Sequence, residues 1–288
     1  MIKKIKNYYI LGRFNNPTGA LLLAWPCLWG VMMAKPELLI FFKYTILLLI
    51  GSFILRAAGC AWNDILDRNI DKKTNRTKSR PIASGKLTVL DGLVFIFLML
   101  ILGLYILYNL SLPAIIISII SIPLIIIYPL TKRITFFPQI WLGITFNIGI
   151  LIGYSCITNN YPNYIVFTLY IGAIFWTIGY DTLYAMQDYV DDKITGVKST
   201  VTKMKHNSGF FAASAYFISS IIFSISLLLN NFHLLMILLV ITLGLWQTYN
   251  AAYTKITDTH KFSKGFKNSN LCGFLMWSGM ILNIYIIN

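Results

Sequence analysis

Acidic residues are scarce in this chain: ten among 288 residues, against 24 Lys and Arg. Charged residues of both signs make up 12%, about half the share in a soluble domain. With 57% hydrophobic residues and a mean hydropathy of +0.69, that scarcity excludes an ordinary soluble fold. Cysteine is equally sparse. Cys27, Cys60, Cys156 and Cys272 form no CxxC pair, and only three histidines accompany them. A Cys/His metal site is therefore not expected, and the cysteines read as small apolar packing residues. No small-residue cleavage site follows the first apolar run, so no cleavable signal peptide is expected.

What the chain does have is a succession of apolar runs near 20 residues, the length that spans a bilayer. They predict nine transmembrane helices near 16–34, 38–62, 88–109, 113–131, 138–157, 164–187, 209–229, 233–253 and 268–287. The fold class is all-α: one polytopic bundle over residues 1–288, a single domain of two pseudo-repeated halves around a central cavity. Pro17, Pro113 and Pro138 fall near helix starts, where proline is tolerated. Pro26 and Pro123 fall inside spans and are expected to kink them.

The net charge of +14 could indicate nucleic acid, but its placement points to membrane topology. Lys and Arg occupy the N-terminus, the 63–87 loop, Lys132-Arg133, the 193–205 loop and the 255–267 loop. Nine alternating helices put all five segments on one face. Of 24 basic residues only Lys35, Lys43 and Arg56 lie elsewhere. The positive-inside rule makes that face, and the N-terminus, cytoplasmic.

Six of the ten acids fall in two clusters on this same face. One runs from Asn63-Asp64 through Asp67 to Asp71 at the end of the second span. The other, Asp188 with Asp191-Asp192, ends the sixth, and Asp181 lies two turns before it. Each is followed by a basic loop, which suggests an internal duplication. Asn63, Asp67 and Asp71 are spaced i, i+4, i+8, and Asp188 and Asp192 i, i+4. On continuing helices each set lines one face. Two carboxylate faces meeting across a cavity repel unless cations sit between them. Hard oxygen donors suit Mg²⁺, which bridges carboxylates to substrate phosphates. The implied ligand is a diphosphate with a hydrophobic tail. A transport pathway fits less well, because the charges gather at one face and no acid lies in helices 4, 5, 7, 8 or 9.

The stretch Leu55-Arg56-Ala57-Ala58-Gly59-Cys60-Ala61-Trp62-Asn63-Asp64 to Asp71, followed by Arg76-Thr77-Lys78-Ser79-Arg80-Pro81, resembles the first signature of the UbiA family of membrane prenyltransferases. Tyr180 to Asp188, then Asp191-Asp192 and Gly196-Val197-Lys198-Ser199-Thr200, resembles the second. The two motif regions are 56–86 and 180–200. The Arg-Ala-Ala-Gly-Cys lead-in and the Lys-Ser-Thr exit are most similar to the 4-hydroxybenzoate polyprenyltransferase branch. The likeness extends over Tyr128-Pro129, Lys132-Arg133 and Phe266 to Asn270. Where the family often carries Arg-x-Asp-Lys-Pro, this chain has Arg13-Phe14-Asn15-Asn16-Pro17, without the two charges.

The resemblance implies Mg²⁺-dependent transfer of a polyprenyl chain from polyprenyl diphosphate to 4-hydroxybenzoate, ortho to the hydroxyl, early in ubiquinone synthesis. A naphthoate, a haem or another acceptor is the alternative. It implies residence in a bilayer, a bacterial inner membrane, with the active-site loops cytoplasmic. It implies that Asp67, Asp71, Asp188 and Asp192 bind Mg²⁺-diphosphate, assisted by Asn63 and Asp64. Lys78, Arg80, Lys132 and Lys198 are diphosphate candidates. Asp191 either helps deprotonate the phenol or serves as a cap or ion-pair carboxylate. Arg56 lies two turns before Asn63 and about 10 Å deeper. It either meets the benzoate carboxylate or pairs with Asp181; Arg133 and Arg13 compete for the carboxylate. Tyr128 and Tyr184 fall within the motif stretches and could shield a cation.

Overall fold

The computed structural model describes residues 2–257 and 259–287, so part of the expected 255–267 basic loop, residue 258, lies outside the described residues. All regular elements among them are helical. A short helix α1 (Ile2–Leu11) precedes nine long ones. These are α2 (Thr18–Met33), α3 (Leu38–Asp71), α4 (Val89–Tyr108), α5 (Leu112–Ile134), α6 (Pro138–Thr158) and α7 (Tyr164–Ala185), then α10 (Ser208–Leu229), α11 (Leu234–Ala252) and α12 (Thr259–Leu282). Two short helices, α8 (Tyr189–Thr195) and α9 (Thr200–Met204), lie between α7 and α10. Eight of the helices are long and apolar enough to cross a membrane, and α2 is a shorter apolar helix. The chain is an integral membrane protein.

The boundaries differ from expectation where polar sequence continues a helix. α3 runs on to Asp71 rather than ending near 62. Its 34 residues measure about 51 Å, more than the ~30 Å hydrocarbon thickness, so its acidic end stands clear of the apolar layer. The helix α7 stops at Ala185, and a 3₁₀ turn, Met186–Asp188, separates it from α8. Asp188 and Asp192 therefore do not share one unbroken α-helix. The ten-residue α1 is too short to register as a span, and sequence periodicity gave only its basic character.

Consecutive long helices pack on one another, and α12 returns to α2 and closes the ring. The interior is filled by α2, in which every residue from Leu22 to Met33 is buried. By contrast α4 buries only Gly92 and Phe95 and turns most of its leucines, with Ile101 and Phe97, outward, as a lipid-facing helix does. Polar side chains tie helices across the bundle: Trp25 Nε1 donates to Asn270 Oδ1 (2.6 Å) and Asn147 Nδ2 to Thr177 Oγ1 (2.8 Å). Gln247 Nε2 donates to Ser269 Oγ (3.1 Å). These are interhelical contacts of the kind small and polar residues make in membranes.

The α2–α6 crossing depends on Gly153. A methyl group there would overlap the Cys27 carbonyl oxygen and lie 3.0 Å from Val31 N. Both obstacles are backbone, so no side chain can swing away. Gly153→Leu is expected to cost ~3 kcal/mol or more, the upper end for overpacking. A lower thermal midpoint and a smaller monodisperse fraction in detergent would register it.

Candidate active site

The acidic end of α3 and the α7–α9 segment open onto one cavity of about 520 Å³. Its polar end is built by helix periodicity on one side and by loop geometry on the other. Asn63, Asp67 and Asp71 project from successive turns of α3, and all three line the cavity. Asp64 stands one residue off that stripe and is 1% exposed. After α3 the chain folds back in turns held by Thr77 Oγ1 donating to the Asp71 carbonyl (3.2 Å) and by Arg80 N to Thr77 O (2.9 Å). Those turns send Arg76 and Arg80 inward. Lys78 points away, donating to Asn75 Oδ1 at 3.0 Å, and does not line the cavity.

Arg76, Arg80 and Lys132 have each found a carboxylate. Arg76 grips Asp188 through two parallel bonds, Nε to Oδ1 (2.7 Å) and Nη2 to Oδ2 (2.6 Å), and donates through Nη1 to Tyr184 Oη (3.1 Å). Arg80 Nη1 bridges Asp64 Oδ1 (3.1 Å) and Asp71 Oδ2 (2.9 Å). Lys132 donates to Asp67 Oδ2. Burial opposes the charge on Arg76, but its bonds to Asp188 outweigh that and raise its pKa above the ordinary arginine value. Among the described residues, no three acids, histidines or cysteines stand close enough to share a metal ion, because basic side chains lie between the acids. Asp67 Oδ1 is buried without a hydrogen bond, with Arg133 Nη2 no closer than 3.6 Å.

The other expected residues divide into those on the cavity and those beside it. Asp192 and Lys198 line it; Lys198 Nζ donates to the Ile134 carbonyl (3.2 Å), and its backbone N to Lys132 O (3.0 Å). Asp191 turns to the Asn75 backbone N–H (3.2 Å), and Arg133 is half-exposed with Nη2 on the Leu66 carbonyl (3.2 Å). Neither lines the cavity. Arg13 is at its edge, with Nη2 on Asp64 Oδ1 (2.7 Å).

The deep end is largely apolar and aromatic, with one cation, Arg56, and one acid, Asp181. Arg56 lies over the Phe146 ring at 5.4 Å, and its Nε is buried without a hydrogen-bond partner. Among the described residues it has no ion-pair partner, so the alternative pairing with Asp181 is not made. Gly19 makes room for it: a Cβ there would come within 2.9 Å of Arg56 Nε. Tyr128, Tyr180 and Tyr184 line the same volume, and Phe266 of α12 packs on Tyr184 at 4.7 Å between centroids. Sequence patterns did not single out Arg76, Gly19, Phe146 or Phe266 as site residues. Arg76 and Phe266 stood inside matched stretches, which was the available signal; the other two look like packing residues.

A family model described as the UbiA prenyltransferase family matches residues 23–278. The chain belongs to this family. It is 35% identical over 281 residues to 4-hydroxybenzoate octaprenyltransferase of Haemophilus ducreyi, covering 96% of this chain and 99% of that protein. It is 44% identical over 223 residues to mitochondrial 4-hydroxybenzoate polyprenyltransferase of Arabidopsis thaliana, covering 75% of this chain. The chain spans about half the length of several curated relatives, 55% of the Arabidopsis protein and 48% of the Aedes aegypti one. Among solved structures it is similar to a UbiA homologue from Aeropyrum pernix K1, with TM-score 0.72 and 18% identity over 91% of this chain and 97% of that one. A UbiA homologue from Archaeoglobus fulgidus bound to GPP and Mg²⁺ gives TM-score 0.70 and 17% identity, covering 94% and 99%. At those identities the likeness establishes the shared fold.

Proposed function

We propose that this protein transfers a polyprenyl group from polyprenyl diphosphate to 4-hydroxybenzoate, ortho to the hydroxyl. The observation that carries this is the polarity of the cavity: ionic at one end, aromatic at the other, with the Arg56 guanidinium, whose Nε has no hydrogen-bond partner, at the aromatic end. The relatives named for 4-hydroxybenzoate prenylation support the acceptor. A divalent metal suits the ionic end, and we infer Mg²⁺. Asp67, with its open Oδ1, would hold it together with Asp71, Asp188 and Asp192, while Asn63 supplies a neutral oxygen. Bound there, the metal supplies positive charge for the leaving diphosphate.

The chain's own residues do the rest. Lys132, Arg80 and Arg76 now neutralise the aspartates, and the same side chains would meet the oxygens of a bound diphosphate. The C1–O bond breaks with its electron pair leaving on the diphosphate. Ring faces of Tyr128 and Tyr184 stabilise the allylic cation. The ring carbon ortho to the hydroxyl forms the new C–C bond, and loss of its proton restores aromaticity. Arg56 fixes the acceptor by its carboxylate. From the positive-inside pattern of the basic loops we infer that this end of the bundle, with the N-terminus, faces the cytoplasm of an inner membrane.

The test is a membrane assay with labelled polyprenyl diphosphate, Mg²⁺ and 4-hydroxybenzoate. A prenylated benzoate is expected, lost with excess chelator and restored by Mg²⁺. Product only with another aromatic in an acceptor panel would retain prenyl transfer and overturn the benzoate assignment.

A further inference from the structure

Helix α1 contributes nothing to the cavity wall, yet a continuous series of polar contacts links it to the cavity. Asp64, about 100° around α3 from Asn63, has both oxygens engaged. Oδ1 accepts from Arg13 Nη2 (2.7 Å) and Arg80 Nη1 (3.1 Å), and Oδ2 accepts from Arg13 Nη2 (2.9 Å). Arg80 Nη1 continues to Asp71 Oδ2 at 2.9 Å. On the outer side, Arg13 adopts the left-handed region, φ 60°, uncommon for a residue with a side chain. Its Nη1 donates to the Ile10 and Leu11 carbonyls at the end of α1, each at 3.1 Å. The helix is clipped in turn to the start of α4: Lys4 Nζ lies 2.7 Å from Asp91 Oδ1, and Tyr8 Oη donates to the same oxygen (3.1 Å). Between residues 12 and 17 Arg13 is the one charged side chain, since Asn15 and Asn16 are neutral.

We propose that Asp64 is a positioning residue and not a metal ligand, and that through it α1 sets the position of Arg80 at the diphosphate end of the cavity. A carboxylate already shared by two permanently charged guanidinium groups has little need of a metal. The Asp67 oxygen that is buried without a hydrogen bond, with only a 3.6 Å ion pair to Arg133, is the opposite case. Sharing Arg80 with Asp64 keeps that arginine from settling wholly on Asp71. Arg13, by partly neutralising Asp64, keeps Arg80 from being drawn off altogether. The position of Arg80 thus depends on where α1 holds Arg13. This inference rests on the donor-site reading above.

The experiment uses the full chain in detergent, with Mg²⁺ and inorganic pyrophosphate measured by calorimetry. The double variant Lys4→Gln/Tyr8→Phe releases the clip without touching the cavity or the Thr88–Asp91 capping box that starts α4. Its pyrophosphate Kd is expected to rise roughly two- to thirtyfold. Asp64→Asn, if it folds, is expected to exceed that. In turnover the KM for prenyl diphosphate should rise with the Kd while the KM for the aromatic acceptor holds. A purely structural clip would lower thermal stability without separating the two KM values. An unchanged Kd in the double variant overturns the proposal, however Asp64→Asn behaves. If wild type binds no pyrophosphate with Mg²⁺, the donor-site reading itself falls and takes this inference with it.

Discussion

Alanine at Asp67 or at Asp188 is expected to lower prenyl transfer by roughly 10³-fold or more, about 4 kcal/mol of lost transition-state stabilisation. The two residues reach that figure by different routes. Asp67 is 1% exposed, held on one oxygen by Lys132 and without a hydrogen bond on the other, so it is the best-prepared ligand for a cation. Asp188 is gripped through both oxygens by Arg76, which also reaches Tyr184. Its loss would remove a proposed metal ligand and free the arginine proposed to meet the diphosphate. Each substitution also strands a cation in a partly buried site, which itself destabilises the fold. Insertion and monodispersity must therefore be checked beside labelled product formation. An inserted Asp67→Ala protein within tenfold of wild type would remove that residue from the metal site.

Much of this site follows a period, and that part was readable from the chain alone. The i, i+4, i+8 spacing of Asn63, Asp67 and Asp71 fixes one helical face, and α3 continues far enough to make it one. The same arithmetic applied to Asp188 and Asp192 meets a 3₁₀ turn at Met186–Asp188, where 3.6 residues per turn no longer hold. Both residues still line the cavity, with Val197, Lys198 and Ser199 of the turn after α8. The loop after α3 has no period at all. Which of Arg76, Lys78 and Arg80 turns inward is decided by hydrogen bonds such as Thr77 Oγ1 to Asp71 O, and spacing cannot anticipate them. At the deep end, Phe146 and Gly19 are indistinguishable in sequence from residues that merely fill a bundle. Their role comes from lying against Arg56.

That arginine carries the second large expectation. Arg56→Met should raise the KM for 4-hydroxybenzoate by about 10²-fold and leave the KM for the prenyl diphosphate near wild type; about 1.5–3 kcal/mol is at stake in hydrogen bonds to a charged partner. Its Nε is buried with no partner, a cost that substrate could remove. Phe146 and the space beside Gly19 seat the guanidinium without satisfying its donors. A benzoate carboxylate can take two parallel N–H bonds from that fork, which a neutral amide cannot match. Selectivity for 4-hydroxybenzoate over 4-hydroxybenzamide should therefore collapse in Arg56→Met. Arg56→Lys keeps the charge but not the fork, and should fall between. Asp181, on the facing wall of the cavity, supplies the competing outcome. If Arg56→Met weakened donor and acceptor alike, the arginine would be balancing Asp181 rather than holding substrate, and the carboxylate would have to be met elsewhere.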